Sequence, residues 1–361
     1  MKHTDERPRP APPPPPVEPV RLVDRHGLRV EHPGFTAPDG ARLAGLHRAM
    51  VIGRRFDRQA RALAGQGLLA VYPSSAGQEA SQVGGVLALS DRDWLFPGYR
   101  DSVALVAHGV DPVEALTLFR GDWRPGYDPR RYRCAPQCTP VATNASHAVG
   151  LTYAARREGR DVAALALTGD GGDTDEAYDF AAVWNTPVVF LVRGGHRAAG
   201  APPYPRGPAP VHGAPGHDRK GYRVDGADAA AVYAVVSRAL AEARDGGGPA
   251  VVEAVAYRED PRSCCAPPRR EGPESGHRCE GDPVTRVEAL LRAEGLLGDP
   301  GETERALAAL GSEAEEFAAS VRERMAPSGG RDPRPPSGGV RPAVPPLSGR
   351  RREPADGARM P

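Results

Sequence analysis

The sequence predicts an α/β fold with a doubly wound, mostly parallel sheet, and three observations carry that prediction. Short, nearly continuous apolar runs stand at 162–167 (VAALAL), 187–192 (PVVFLV) and 250–256 (AVVEAVA). Such runs read as strands buried on both faces. Segments of helical character, 176–184 and 227–243, separate them, and strands alternating with helices imply parallel pairing with a helix layer on each side. Two of the runs stop abruptly at turns, Gly169-Asp170-Gly171 and Arg193-Gly194-Gly195. In open sheets of this class, ligands sit beyond the carboxyl ends of the strands.

The remaining elements follow in chain order. Residues 43–64 place Leu46, Met50, Phe56 and Leu63 at helical spacing. A second helix is predicted over 77–89. Asp111-Pro112-Val113-Glu114 is a helix start, with an aspartate cap, proline at the first helical position and an acid in the first turn. Residues 148–157 read as a helix of small residues. The ends differ in character. Residues 1–20 hold eight prolines, including the run Pro12 to Pro16, and residues 327–361 are rich in Pro, Gly, Arg and Ser. Both are expected to be disordered. The folded domain is therefore predicted over 21–326, and no internal repeat is visible.

Composition narrows the function classes. The 361 residues carry 47 basic and 46 acidic side chains, a formal net charge of +1, so no long-range field draws the chain to nucleic acid or an anionic membrane. No apolar signal segment opens the chain and no run reaches the roughly 18 apolar residues of a membrane span. Five cysteines, an odd number, point to a reducing compartment, and the expected location is the cytoplasm.

A strand ending in Gly-Asp-Gly has a physical use. Glycine lets backbone N–H groups approach an anion closely, and the aspartate sets one carboxylate where a hard divalent cation can be held beside phosphates. The same triplet is also an ordinary connection, and its surroundings decide between the two. "RRFDRQARALAGQGLLAVYPSSAGQEASQVGGVLALSDRDWLFPGYRD", "TPVATNASHAVG" (139–150), "LTGDGG", "DEAYDFAAVWNTPVVFLVRGGH", "YRVDGADAAAVYAVVSRALAEARDGGGPAVVEAVAYR" (222–258) and "DPVTRVEALLRAEGLL" (282–297) stand in this order. Together they resemble the alpha subunit of the thiamine-diphosphate-dependent 2-oxoacid dehydrogenases, the decarboxylating component for pyruvate or branched-chain 2-oxoacids.

The resemblance implies a thiamine-diphosphate-binding fold and a set of roles. Tyr99 and Arg100 match a phosphate-contacting pair, and a guanidinium suits phosphate through paired hydrogen bonds. Otherwise they form a surface turn. Arg193 matches a second phosphate-contacting arginine. The backbone carbonyl of Val141 matches the acceptor for the aminopyrimidine. Asp170 matches the Mg²⁺ ligand, with Gly171 and Gly172 in the diphosphate loop. His147 is either a proton carrier near the ring or a packing residue at a helix start. Gln78 and Glu79 match a motif near the site, or else form a helix first turn with favourable charge. The family's cofactors are thiamine diphosphate and Mg²⁺, and its partners are a beta subunit in an α2β2 assembly and a lipoyl acyltransferase.

Three departures from the pattern are plain. Where the family has an Asn pair whose second member ligates the metal, this chain has Gly194-Gly195. The loop at Gly172–Thr174 is shorter than the family's, with Asp173 and Asp175 as substitute carboxylates. Past Arg258, Arg262 stands where the family carries a histidine, and His277 is out of register with it. An arginine is not a general acid near neutral pH. Cys134, Cys138, Cys264, Cys265 and Cys279, with His277, could hold zinc, though their spacing fits no common module and free thiols are the default. The function expected is oxidative decarboxylation of a 2-oxoacid with acyl transfer to lipoyl. The alternative is a degenerate, non-catalytic homologue acting as an accessory or regulatory partner.

Overall fold

The computed structural model describes residues 18–121, 126–140, 143–169, 174–194, 220–255 and 282–326. Helices α1 (Gly40–Gly65) and α2 (Glu79–Val86) precede strand β1 (Trp94–Phe96), followed by the short helices α3 (Ser102–Ala107), α4 (Pro112–Ala115) and α5 (Pro129–Tyr132). The regular alternation then begins: α6 (Thr143–Arg157), β2 (Ala164–Gly169), α7 (Asp175–Val183), β3 (Val188–Gly194), β4 (Lys220–Asp225), α8 (Ala229–Glu242) and β5 (Ala250–Val255). Helices α9 (Pro283–Ala293) and α10 (Pro300–Met325) close the described chain.

Every strand pair is parallel, and the order across the sheet is β1-β2-β3-β5-β4. Because β2, β3 and β5 are apolar on both faces, both must be covered. One face packs Leu165, Leu167, Leu191 and Val252 with α1, α2, α8 and α9 in a large core. The other face packs Ala164, Ala166, Phe190 and Val192 under α6 and α7 in a smaller core. Close approach of α2 depends on glycine. A Cβ at Gly85 would lie 2.8 Å from Leu191, and one at Gly84 would lie 2.9 Å from the Ala229 carbonyl.

The three expected strands and the doubly wound layering are present, and two further strands extend the sheet. The first, β1, is only three residues long, too short to show a period. The second, β4 (KGYRVD), lies at the sheet edge, where polar residues are tolerated and no apolar run is required. The cap at Asp111 forms as expected, accepting from Val113 N at 2.9 Å and Glu114 N at 3.2 Å. Its helix is nevertheless brief, turning into a 3-10 turn over Thr117–Arg120 that ends at Gly121 with φ 94°.

The buried Asp228 ties the N-terminal segment to the sheet. Its carboxylate accepts from Leu22 N (2.7 Å), Val23 N (2.8 Å) and Ala231 N (3.0 Å), with Arg286 of α9 at 3.6 Å. It therefore caps α8 and anchors a second segment at once.

The buried His47 and the half-buried His108 give the fold a pH limit. Burial depresses the pKa of His47 and His108 below the ordinary 6.5, and His108 Nε2 donates to the Tyr132 carbonyl at 2.9 Å. Between the depressed value and 6.5, the unfolded chain binds protons that the folded chain refuses, so stability rises with pH there. The melting temperature is expected to fall when the chain is taken from about pH 7.5 to about pH 5.5. A His47→Gln/His108→Gln variant, followed by thermal denaturation at both values, should lose less than the parent.

Candidate functional site

The carboxyl ends of β1, β2 and β3 lie side by side. Gly169 pairs with Arg193 in the β2–β3 register, and Phe96 pairs with Ala166 one strand over. Tyr99 and Arg100 follow β1 in the turn before α3. Arg100 Nε donates to the Tyr99 hydroxyl at 3.0 Å, and its guanidinium lies 4.9 Å from that ring's centroid. The Arg100 carbonyl accepts from Ser75 Oγ at 2.8 Å and from Gln82 Nε2 at 3.1 Å, so the turn is fixed from the α2 side. Both side chains are half-buried, unlike those of a free surface turn.

Arg193 is buried at the end of β3. Its Nη1 donates to Gln78 Oε1 at 3.1 Å and forms an ion pair with Asp101 Oδ1. The other Asp101 oxygen accepts from Gly98 N at 2.7 Å. Burial pushes the Asp101 carboxyl above its usual range, while Arg193 and the Gly98 N–H pull it back. One carboxylate thus ties the β3 arginine to the turn that carries Tyr99 and Arg100. Arg193 Nε is buried with no hydrogen-bond partner among the described residues, and so is Thr168 Oγ1 on β2. A buried donor left unmade costs more than an ordinary hydrogen bond gains, and these two stand at the ends of neighbouring strands.

Helix α6 begins at the same edge. Asn144 Nδ2 donates to the Leu167 carbonyl at 2.7 Å and to the Phe96 carbonyl at 3.1 Å, which pins the helix start to the ends of β1 and β2. His147, one turn further on, is exposed rather than packed. Gln78 lies at the site through Arg193. Glu79 points away: it is buried against Arg54 at 2.9 Å, and Arg54 reaches Asp282 at 2.6 Å. Val141, Asp170, Gly171 and Gly172 lie outside the described residues, as do Asp173, Gly195, Arg262 and His277.

Asp101 and Asn144 are the site residues that sequence reading passed over. The signal for Asp101 was its place directly after Tyr99-Arg100. Asn144 had none beyond an amide near a helix start.

A diphosphate fits this donor set. Arg100, after β1, and Arg193, at the end of β3, bring two permanent cations to the carboxyl edge of the sheet on either side of β2, and the Arg193 Nε, partnerless among the described residues, is a donor suited to a phosphate oxygen. The metal's expected ligand, Asp170, is outside the described residues, within which no group of three or more His, Cys, Asp or Glu side chains gathers. Of the cysteines, Cys134 is buried, and burial pushes its thiol up to about 12, which leaves it little nucleophilic character at neutral pH. Cys138 is half-buried, and Cys264, Cys265 and Cys279 lie outside the described residues.

Comparison with known proteins identifies the lineage. The family model described as the dehydrogenase E1 component matches residues 47–325. The chain belongs to the dehydrogenase E1 family. Among its relatives, the 3-methyl-2-oxobutanoate dehydrogenase subunit alpha of Mycobacterium tuberculosis is 38% identical over 306 residues, covering 82% of this chain and 83% of that protein. The pyruvate dehydrogenase E1 component subunit alpha of Staphylococcus aureus is 30% identical over 296 residues, covering 80% of each. The chain is therefore an E1 alpha subunit of the 2-oxoacid dehydrogenase type, in a family that depends on thiamine diphosphate. No helix among the described residues of this E1 subunit is long and apolar enough to cross a membrane.

Proposed function

We propose that this chain binds the diphosphate end of thiamine diphosphate and acts with a beta subunit, as α2β2, in oxidative decarboxylation of a 2-oxoacid. The observation that carries the reading is Arg193: a buried guanidinium at a strand end, oriented by Asp101 and Gln78, with its Nε–H unpartnered among the described residues. In this reading Arg193, Arg100 and Tyr99 hold phosphate oxygens, and Asp170, Gly171 and Gly172 complete the Mg²⁺ and diphosphate loop. The Val141 carbonyl accepts from the aminopyrimidine. When bound, thiamine diphosphate supplies the electron sink that decarboxylation needs. His147, exposed at the same end of α6, is the group placed to carry a proton, and the acyl product passes to a lipoyl group on an acyltransferase. The relationship to the 3-methyl-2-oxobutanoate enzyme favours a branched-chain substrate over pyruvate. The proposed setting is the cytoplasm.

A second reading rests on one specific feature. Gly194 and Gly195 offer no side-chain oxygen to a metal where the family carries asparagine. In that reading the chain keeps the fold and the beta-subunit contact as an accessory protein without catalysis.

Titrating thiamine diphosphate with Mg²⁺ into the chain assembled with its beta subunit separates the two. Saturable, metal-dependent binding is expected, and Asp170→Ala should remove it. Absence of binding up to millimolar cofactor overturns the catalytic reading, and unchanged affinity in the Asp170 variant moves the metal elsewhere.

A further inference from the structure

Both arginines of the candidate site are reached from one serine. Ser75 lies between α1 and α2 and is fully buried. Its Oγ donates to the Arg100 carbonyl at 2.8 Å. Its own carbonyl accepts from Gln78 N at 2.9 Å, and Gln78 Oε1 is the acceptor for Arg193 Nη1 at 3.1 Å. Ser75 therefore touches the backbone of the turn that carries Arg100 and the backbone of the residue that orients Arg193.

Ser75 is itself held from α1. The buried Asp57 accepts from Ser75 N at 2.7 Å, from Ser74 Oγ at 2.7 Å and from the Tyr72 hydroxyl at 2.9 Å. Burial first, and the Asp57 charge second, push the Tyr72 hydroxyl well above its usual range, so it stays protonated and donates. Buried N–H groups outside regular structure need an acceptor, and an ionised one makes the stronger bond. Three such bonds fix the irregular stretch 72–75. The chain then turns through Gly77 at φ 81°, a left-handed conformation that suits glycine, and Gln78 follows at the start of α2.

The Arg100 carbonyl has a second donor, Gln82 Nε2 at 3.1 Å, and Gln82 Oε1 accepts from Ala104 N at 2.9 Å. Gln82 thus ties the Arg100 turn to α3. Ser75 ties the same turn to Gln78, and so to Arg193. Removing the Ser75 hydroxyl leaves the carbonyl with a partner but frees the turn to shift relative to Arg193. A shift of about 1 Å in a positioned group can cost on the order of 100-fold.

We propose that Ser75, anchored by Asp57, is a positioning residue that sets the spacing between the Arg100 and Arg193 phosphate donors. It acts through the two arginines, and the inference rests on the diphosphate reading above.

A double-mutant cycle of Ser75→Ala and Arg100→Met tests it. Thiamine diphosphate with Mg²⁺ is titrated into each chain assembled with its beta subunit. Ser75→Ala is expected to weaken binding about 10-fold. Its melting temperature should fall by only about 2–4 °C, since Gln82 still donates to the Arg100 carbonyl. In the Arg100→Met background the same substitution should weaken binding less than about threefold, because residues that act through one another are not additive. No binding by the parent chain overturns the diphosphate reading, and this inference with it. Binding by the parent that Ser75→Ala leaves unchanged overturns this inference alone. A loss equally large with and without the Arg100 side chain also overturns it, since the hydroxyl then serves general packing.

Discussion

Arg193→Met is expected to weaken thiamine diphosphate binding about 100-fold, roughly 3 kcal/mol, since a charge-assisted pair to a phosphate is worth that much. The same change should destabilise the protein by about 3–5 kcal/mol, because it strands the fully buried Asp101 without its cation. The two losses have different origins and can be separated. Adding Asp101→Leu to Arg193→Met removes the stranded charge, so chemical denaturation should show most of the stability restored. Isothermal titration in the presence of the beta subunit should show cofactor affinity still lost. Recovery of affinity in the double variant would mean that Arg193 serves only to neutralise Asp101, and the phosphate role would then fall.

The pH dependence of the single variant carries the same logic. Burial already pushes the Asp101 carboxyl up, and Arg193 is the strongest influence pulling it down. Without Arg193 the folded-state pKa rises further above the unfolded value, so the folded chain holds a proton that the unfolded chain releases. Stability of the variant should therefore recover as pH falls and be lowest at neutral pH, the opposite of the trend set by His47 and His108.

Much of the fold was legible because β2, β3 and β5 are buried on both faces, and nearly continuous apolar runs are the signature of that environment. β4 was not, because an edge strand meets core on fewer sides and KGYRVD satisfies it with polar residues. β1 was too short to carry a period. At the candidate site, the resemblance singled out Arg100, Arg193 and the Gly-Asp-Gly strand end; the structure describes the two arginines at strand ends, and Asp170 and Gly171 lie outside the described residues. Asp101 was not legible, since its role arises from a contact with Arg193 that is far away in sequence. A carboxylate after a Tyr-Arg pair has no local pattern to announce that it is fully buried and ion-paired. Glu79 shows the reverse: a family motif placed it near the site, and it is buried against Arg54, which also pairs with the half-buried Asp282 and so links α1, α2 and the start of α9.

Asp228→Ala is expected to cost about 3–5 kcal/mol, from two buried N–H groups left unsatisfied at about 1–3 kcal/mol each and a lost cap, and to lower the melting temperature by about 10 °C. From sequence Asp228 is a helix cap, and loss of a cap alone costs about 1 kcal/mol. The larger figure comes from what the cap also holds. Leu22 N and Val23 N both donate to the same carboxylate oxygen in a buried setting, and no other acceptor replaces it when the side chain goes. Arg286 is not stranded, because it also pairs with Asp225 at 3.0 Å. The damage is therefore backbone desolvation at 22–23 together with the lost cap. Asp228→Asn keeps one oxygen, which can serve either the two N-terminal N–H groups or Ala231 N but not both sets, so its cost should be intermediate. Limited proteolysis identifies the mechanism: in Asp228→Ala, cleavage near residues 20–30 should precede loss of the core. Simultaneous loss of both would place the main role of Asp228 in α8 rather than in holding the N-terminal segment against the sheet edge.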